Sequence, residues 1–188
     1  VYGEPVEIPQ VEDTTPLNSR LPYAVVKNIS EAYCRSYYKE YGLEYTIFRF
    51  FNTYGPLQSV DFVLTKFIEM AMLNQDITIY GDGAQTRTFC YIEDNLDVAE
   101  IIMEQGLCVN DTINIGSDTI YSINELADIV INITKSKSKK VYLPPLGEGD
   151  MTRRQPDITK MKKILARDLL PLEEGILKTI NFFEPQCN

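Results

Sequence analysis

Apolar residues early in the chain recur with a helical period. Val26, Ile29, Tyr33 and Tyr37 are spaced by three and four residues, which predicts a long helix with one apolar face. Asn18, Ser19 and Pro22 resemble its start, and Gly42 its stop. Tyr45-Thr-Ile-Phe-Arg-Phe-Phe51 is nearly continuous in β-branched and aromatic residues, as expected of a parallel strand buried on both faces, and Asn52-Thr-Tyr-Gly-Pro56 turns it into a loop. A helix is predicted from 61 to about 73, with Val63, Phe67 and Met70 on one face. Residues 77–80 read as a short strand, Gly81-Asp-Gly83 as a turn and 86–92 as a loosely alternating strand. Asp94 is expected to cap a helix containing Leu96, Ala99 and Met103. A strand over 112–115 follows, then a capping box of Ser122 and Glu125 ahead of Leu126, Ala127 and Val130. A strand over 139–143 and two amphipathic helices, about 158–165 and 172–183, complete the pattern. Strands alternating with helices argue for the α/β class.

Composition narrows the chemistry. The 188 residues are 44% hydrophobic and 24% charged, an ordinary globular balance, and no apolar run is long enough to cross a bilayer. The chain opens at Val1 without a signal-peptide pattern, and a start other than methionine makes this end uninformative about targeting. Histidine is absent, which excludes Ser-His and Cys-His nucleophilic catalysis and His-based metal sites. Proton transfer therefore falls to tyrosine, lysine, cysteine or a carboxylate. The four cysteines, Cys34, Cys90, Cys108 and Cys187, form no C-x-x-C pair, so no metal site is expected, and reduced thiols and a cytoplasmic setting are. A net charge of −9 argues against nucleic acid as a partner. An anionic small molecule would need a local cluster of arginines working against the global field. The lysine-rich run over 135–140 reads as a solvated loop.

Four segments carry candidate chemistry. In Pro22-Tyr-Ala-Val-Val-Lys27, Tyr23 and Lys27 stand four apart on one helix face. A phenol titrates at about 10, and a neighbouring ammonium favours the phenolate, so the pair can act as a base. Such a pair is also common on ordinary helices. Arg49-Phe-Phe-Asn52-Thr-Tyr-Gly-Pro56 places polar groups at the C-terminal edge of a buried strand, where ligands of open α/β sheets bind. A plain strand-to-loop turn is the other reading. In Tyr80-Gly-Asp-Gly-Ala-Gln-Thr-Arg87 the glycine turn lacks the third glycine and the following helix of a dinucleotide loop. Arg87 can offer its guanidinium fork to an anion or sit on a hairpin surface. Arg153-Arg154-Gln155-Pro156-Asp157 suits a pyrophosphate clamp with a hydroxyl acceptor, and Asp157 also suits a helix N-cap.

Taken in this order, the segments resemble the extended short-chain dehydrogenase/reductases that act on nucleotide sugars: UDP-sugar 4-epimerases, dTDP-glucose 4,6-dehydratases and UDP-glucuronate decarboxylases. Val1-Tyr-Gly-Glu-Pro5 looks like the loop after that family's fifth strand, and Pro22-Tyr-x-x-x-Lys27 like the start of its catalytic helix. The family's G-x-x-G-x-x-G fingerprint does not occur in the chain and would lie before Val1.

The resemblance implies the C-terminal part of a Rossmann-type enzyme plus its smaller substrate-binding α/β lobe. Residues 1–56 would be a remnant of the NAD-binding domain and 57–188 mainly the nucleotide-sugar lobe, with about 86–105 free to return to the Rossmann sheet. It implies NAD as cofactor, held in part by Tyr23, Lys27, Phe50 and Asn52. It implies Tyr23 and Lys27 as the catalytic pair, and Asn52, Tyr80, Arg87, Arg154 and Asp157 as contacts to a UDP- or dTDP-linked sugar. The implied chemistry is epimerisation or dehydration through a 4-keto sugar. UDP-glucuronate decarboxylation, or sugar-nucleotide binding without catalysis, are the alternatives. A homodimer packed through the first helix is implied, with no nucleic acid and no membrane. The isolated chain, missing the glycine motif, is expected to be inactive and to associate through uncovered apolar surface.

Overall fold

The structure, a computed structural model, describes residues 8–13, 22–145 and 155–183. Its elements run α1 (Pro22–Tyr41), β1 (Thr46–Phe50), β2 (Thr53–Tyr54), α2 (Val63–Met72), β3 (Ile77–Tyr80), β4 (Thr86–Thr88), β5 (Cys90–Tyr91), α3 (Ile92–Gln105), β6 (Asp111–Ile115), β7 (Ile120–Ser122), α4 (Ile123–Thr134), β8 (Lys140–Leu143), α5 (Thr159–Leu165) and α6 (Leu172–Phe183). Among the described residues three of the four strand pairs are parallel, β1 with β6, β2 with β5 and β3 with β8, and only β4 and β7 run antiparallel, with Arg87 opposite Tyr121. Parallel pairs need crossover connections, and here α3 leads directly into β6 and α4 into β8. The α/β class read from the alternation is the observed one.

Two apolar clusters form the interior. One gathers Leu64, Phe67, Ile68 and Ala71 of α2, Ile77 and Ile79 of β3, Leu126, Ala127 and Val130 of α4, and Ile176 and Ile180 of α6. The other gathers Val98 and Ile102 of α3, Ile113 and Ile115 of β6, and Met161 and Leu165 of α5, with Phe48 of β1 packed against it. Each fully buried aliphatic or aromatic side chain contributes ~1.5–3 kcal/mol relative to exposure. A glycine inside α6 fits this packing: a Cβ on Gly175 would stand 2.0 Å from the Tyr54 hydroxyl, which donates to the Leu172 carbonyl at 3.2 Å. The chain passes repeatedly between the clusters, so each is assembled from segments distant in sequence.

Several local expectations change in the folded chain. Asp94 does not cap α3, because Tyr91 occupies the N-cap position and Asp94 lies inside the first turn, buried. Its carboxylate accepts from Arg167 Nη1 at 2.6 Å and from the Leu170 N–H at 3.0 Å. The buried face of α3 is Val98 and Ile102, while Leu96 and Met103 are exposed. Within 86–92, residues 86–88 and 90–91 form two short strands with different partners, and Ile92 already begins α3. The strand partner described for β1 is β6, from later in the chain. The Ser122–Glu125 capping box is present with both reciprocal bonds.

The first helix departs most. Its apolar stripe is exposed, with Val26 at 58%, Ile29 at 50%, Tyr33 at 62% and Tyr37 at 51%. The stripe turned toward the chain is small or polar, with Ala24 and Glu31 buried. Gly42 ends the helix, its N–H donating to the Tyr38 carbonyl at 2.9 Å.

Candidate functional site

An ion pair fixes α1 against β1. Arg49 is buried on its strand, Nε donating to Glu31 Oε1 and Nη2 to Glu31 Oε2, both at 2.8 Å. Arg35 donates to the same carboxylate at 3.0 Å, and Arg49 Nη1 reaches the Glu12 carbonyl at 3.0 Å. Burial alone would raise the Glu31 carboxyl. The hydrogen bonds and charge of Arg49, then of Arg35, outweigh it and hold Glu31 below the ordinary carboxylate value. In the sequence Arg49 is part of a motif, and a cation inside an otherwise apolar strand is the signal of a buried partner.

Helix α1 so anchored carries Tyr23 and Lys27 on its first turns. Tyr23 is 72% exposed, and the Lys27 ammonium lies over its ring, 5.4 Å from the centroid. The two side chains do share one helix face, in a cation–π arrangement. At the C-terminal end of β1, Phe50 is 55% exposed. Asn52 follows with φ +40°, a left-handed conformation that asparagine tolerates better than most residues. Its side-chain Nδ2 is buried and has no hydrogen-bond partner among the described residues. Such an orphaned donor costs ~1–3 kcal/mol unless something accepts from it.

A second group of residues lies on α2, β3 and β4. Asp61, Lys66, Thr78, Tyr80, Gln85 and Arg87 line one cleft of about 270 Å³, floored by Phe67, Ile79 and Ile123. Tyr80 and Arg87, both expected at the site, therefore face the same space. The turn between them is tight: Gly83 has φ +74°, and a Cβ there would stand 2.6 Å from the Asn124 side chain. Gln85 Nε2 donates to the Tyr80 carbonyl at 3.0 Å and Arg87 Nη1 to the Thr86 carbonyl at 2.8 Å, so the loop's own backbone orients both side chains. Lys66 was not foreseen. It is half-buried in this cleft, and no carboxylate stands within ion-pair distance of it among the described residues. Lys66 stands three residues after Val63, and one helical turn places both on one side of α2.

Asp157 is not the N-cap of α5, a position that Ile158 holds, but it reaches the helix start from one residue further out. Its Oδ1 accepts from the Thr159 N–H at 2.8 Å at the start of α5, and bonds from Thr159 hold its carboxyl below the usual range. Its backbone is tied on both sides, N–H to the Gln10 carbonyl at 2.8 Å and carbonyl from Asn114 Nδ2 at 3.2 Å. Tyr23, Lys27, Asn52 and Asp157 are not among the residues lining the Tyr80–Arg87 cleft. Arg154, its neighbour Arg153 and the Val1–Pro5 motif lie outside the described residues.

The fold is mainly parallel α/β, with a tyrosine–lysine pair on α1 and a polar loop at the C-terminal end of β1. Residues 1–116 match the NAD dependent epimerase/dehydratase family, and the chain belongs to that family. The chain is 34% identical over 190 residues to UDP-glucuronic acid decarboxylase 1 of Danio rerio, covering 97% of this chain and 45% of that protein. It superposes with a TM-score of 0.89, at 33% identity, on a Thermotoga maritima UDP-glucose 4-epimerase solved with UDP-glucose, covering 97% of this chain and 59% of that one. A Bacillus cereus UDP-glucuronic acid 4-epimerase solved with UDP-glucuronic acid and NAD gives 0.86 at 29% identity, covering 97% and 58%. The chain thus spans about half the length of the proteins it matches.

Proposed function

We propose that this chain is the substrate-side part of an NAD-dependent nucleotide-sugar epimerase or dehydratase that works through a 4-keto sugar. The observation that carries this reading is the cleft that gathers Tyr80, Arg87 and Lys66 on an acidic chain of net charge −9. Two cations against the one carboxylate of Asp61 leave the cleft net positive beside a ring, where a sugar nucleotide presents its diphosphate and base. Arg87 and Lys66 bind the diphosphate, with Arg154, and Asp157 accepts from the nucleotide ribose. The nucleotide is UDP or dTDP.

The chain's residues fit one end of NAD. The orphaned Asn52 amide needs an acceptor, and Phe50 leaves an uncovered ring at the same strand end. Tyr23 and Lys27 complete that side, whereas no glycine fingerprint for the pyrophosphate occurs in the chain. When bound, NAD supplies the hydride acceptor. Tyr23 takes the proton of the sugar 4-hydroxyl, and the Lys27 ammonium over its ring offsets the charge of the phenolate. Asn52 also contacts the diphosphate of the sugar nucleotide, an acceptor for its buried amide.

Decarboxylation of UDP-glucuronate is the second reading, favoured by the 34% identity to a UDP-glucuronic acid decarboxylase. The partner is a second copy, packed through the exposed stripe of α1 that includes Val26, Ile29 and Tyr33. The setting is cytoplasmic; among the described residues no helix is long and apolar enough to cross a membrane.

Calorimetry with UDP-glucose and UDP-glucuronate tests the cleft. The chain binds the preferred sugar nucleotide, and Arg87→Ala weakens that binding at least about tenfold. An Arg87→Ala variant that binds as tightly as wild type contradicts the reading.

A further inference from the structure

Residues 52 and 53 are held from several directions. The Cys90 N–H donates to the Asn52 carbonyl at 3.2 Å, and Thr53 pairs in register with Cys90. Asn95 Nδ2 donates to the Thr53 hydroxyl at 2.6 Å, and the Cys90 thiol donates to Asn95 Oδ1 at 3.0 Å. From the other side, Gln58 Nε2 donates to the Thr53 carbonyl while Thr65 of α2 donates to Gln58 Oε1 at 2.7 Å. Cys90 and Asn95 are each 2% exposed. The short segment is therefore clamped between α2 of one apolar cluster and α3 of the other.

The direction of the buried chain is set by chemistry. Burial first, and then the charge of Asp94, push the Cys90 thiol up to about 12, so it keeps its proton at neutral pH. A protonated thiol donates, which turns the Asn95 amide oxygen toward sulfur and its NH2 toward Thr53. Thr53 is then fixed as an acceptor, and the residue before it is left in its φ +40° conformation with Nδ2 unpartnered. A left-handed non-glycine residue is strained and persists only where its surroundings over-determine it.

We propose that Asn95 is a positioning residue of the site: through Thr53 it holds Asn52 in the conformation that keeps the Asn52 amide available to a ligand. Asn95 itself touches no ligand. The inference rests on the sugar-nucleotide reading for its ligand and on the hydrogen bonds alone for its geometry.

The test is a thermodynamic cycle on the whole chain, read by calorimetry with UDP-glucose, together with amide hydrogen exchange at Cys90 without ligand. Asn95→Leu and Asn52→Ala are each expected to weaken UDP-glucose binding by about tenfold. The double variant is expected to bind no more weakly than Asn52→Ala alone, because Asn95 acts only through Asn52. Thr53→Val should reproduce Asn95→Leu, and Thr53→Ser should restore affinity. The Cys90 amide should exchange faster in Asn95→Leu and at the wild-type rate in Thr53→Ser. Full additivity of Asn95→Leu with Asn52→Ala, or wild-type affinity in Asn95→Leu, overturns the inference. Arg87→Ala distinguishes the two readings: if it leaves UDP-glucose affinity unchanged, the cleft assignment fails while the cycle still judges Asn95. If wild type shows no UDP-glucose binding, unchanged Cys90 exchange in Asn95→Leu overturns the positioning and faster exchange upholds it.

Discussion

In α4 the apolar face points inward, with Leu126, Ala127 and Val130 fully buried against α2 and α6. In α1 the order is reversed: Ala24 and Glu31 are buried, and Val26, Ile29, Tyr33 and Tyr37 face outward. The first region closes its own core. The second is held by a buried Arg49–Glu31 pair and leaves its hydrophobic stripe exposed. On the proposed reading, nucleotide binding belongs to the α2–α4–α6 side, and α1 contributes chemistry and association.

The largest effects should separate the two mechanisms of attachment. Phe67→Ala is expected to cost ~3–5 kcal/mol by opening a cavity in the lobe core. Arg49→Ala should cost a similar ~3–5 kcal/mol, because it strands a buried carboxylate. Chemical denaturation measures both, and hydrogen exchange should show the Arg49→Ala loss concentrated in α1. A loss spread evenly over the chain would erase the distinction between the regions.

Acid should loosen the second region. Glu31 titrates below its ordinary 4.5 in the folded chain, so its contribution is present above pH 4.5 and is lost as pH falls through the lower folded value. Exchange protection of α1 should drop in that window. In Arg49→Ala this step should be weaker, since the main partner that lowers Glu31 is gone.

Smaller changes probe the cleft and the exposed face. Lys66→Ala should weaken UDP-glucose binding about fivefold by calorimetry, near 1 kcal/mol, with unchanged melting. Tyr33→Ser on α1 should alter stability by less than about 0.5 kcal/mol. It should nonetheless shift light scattering toward the monomer, because it removes apolar area from the uncovered stripe.

Local signals were the legible ones. The Ser122–Glu125 box, the Gly42 stop and the strand over 77–80 depend on neighbours in sequence, and each is found in the fold. Tyr80 and Arg87 flank one tight turn that the sequence shows, and both line one cleft. Periodicity located the apolar stripe of α1 but could not say what covers it. Asp94 looked like a cap because Asp favours that role, and its Arg167 partner lies too far along the chain to be inferred. The Asn95–Thr53 bond spans 42 residues and the Arg49–Glu31 pair 18, so neither has a local signature.

The most direct test of the whole account is the rate of 4-keto sugar formation in a full-length, NAD-loaded enzyme carrying Tyr23→Phe. Loss of the phenol should lower that rate by roughly 10²–10⁴-fold while UDP-sugar affinity stays at the wild-type level. A Tyr23→Phe enzyme that forms the keto sugar at the wild-type rate would contradict it.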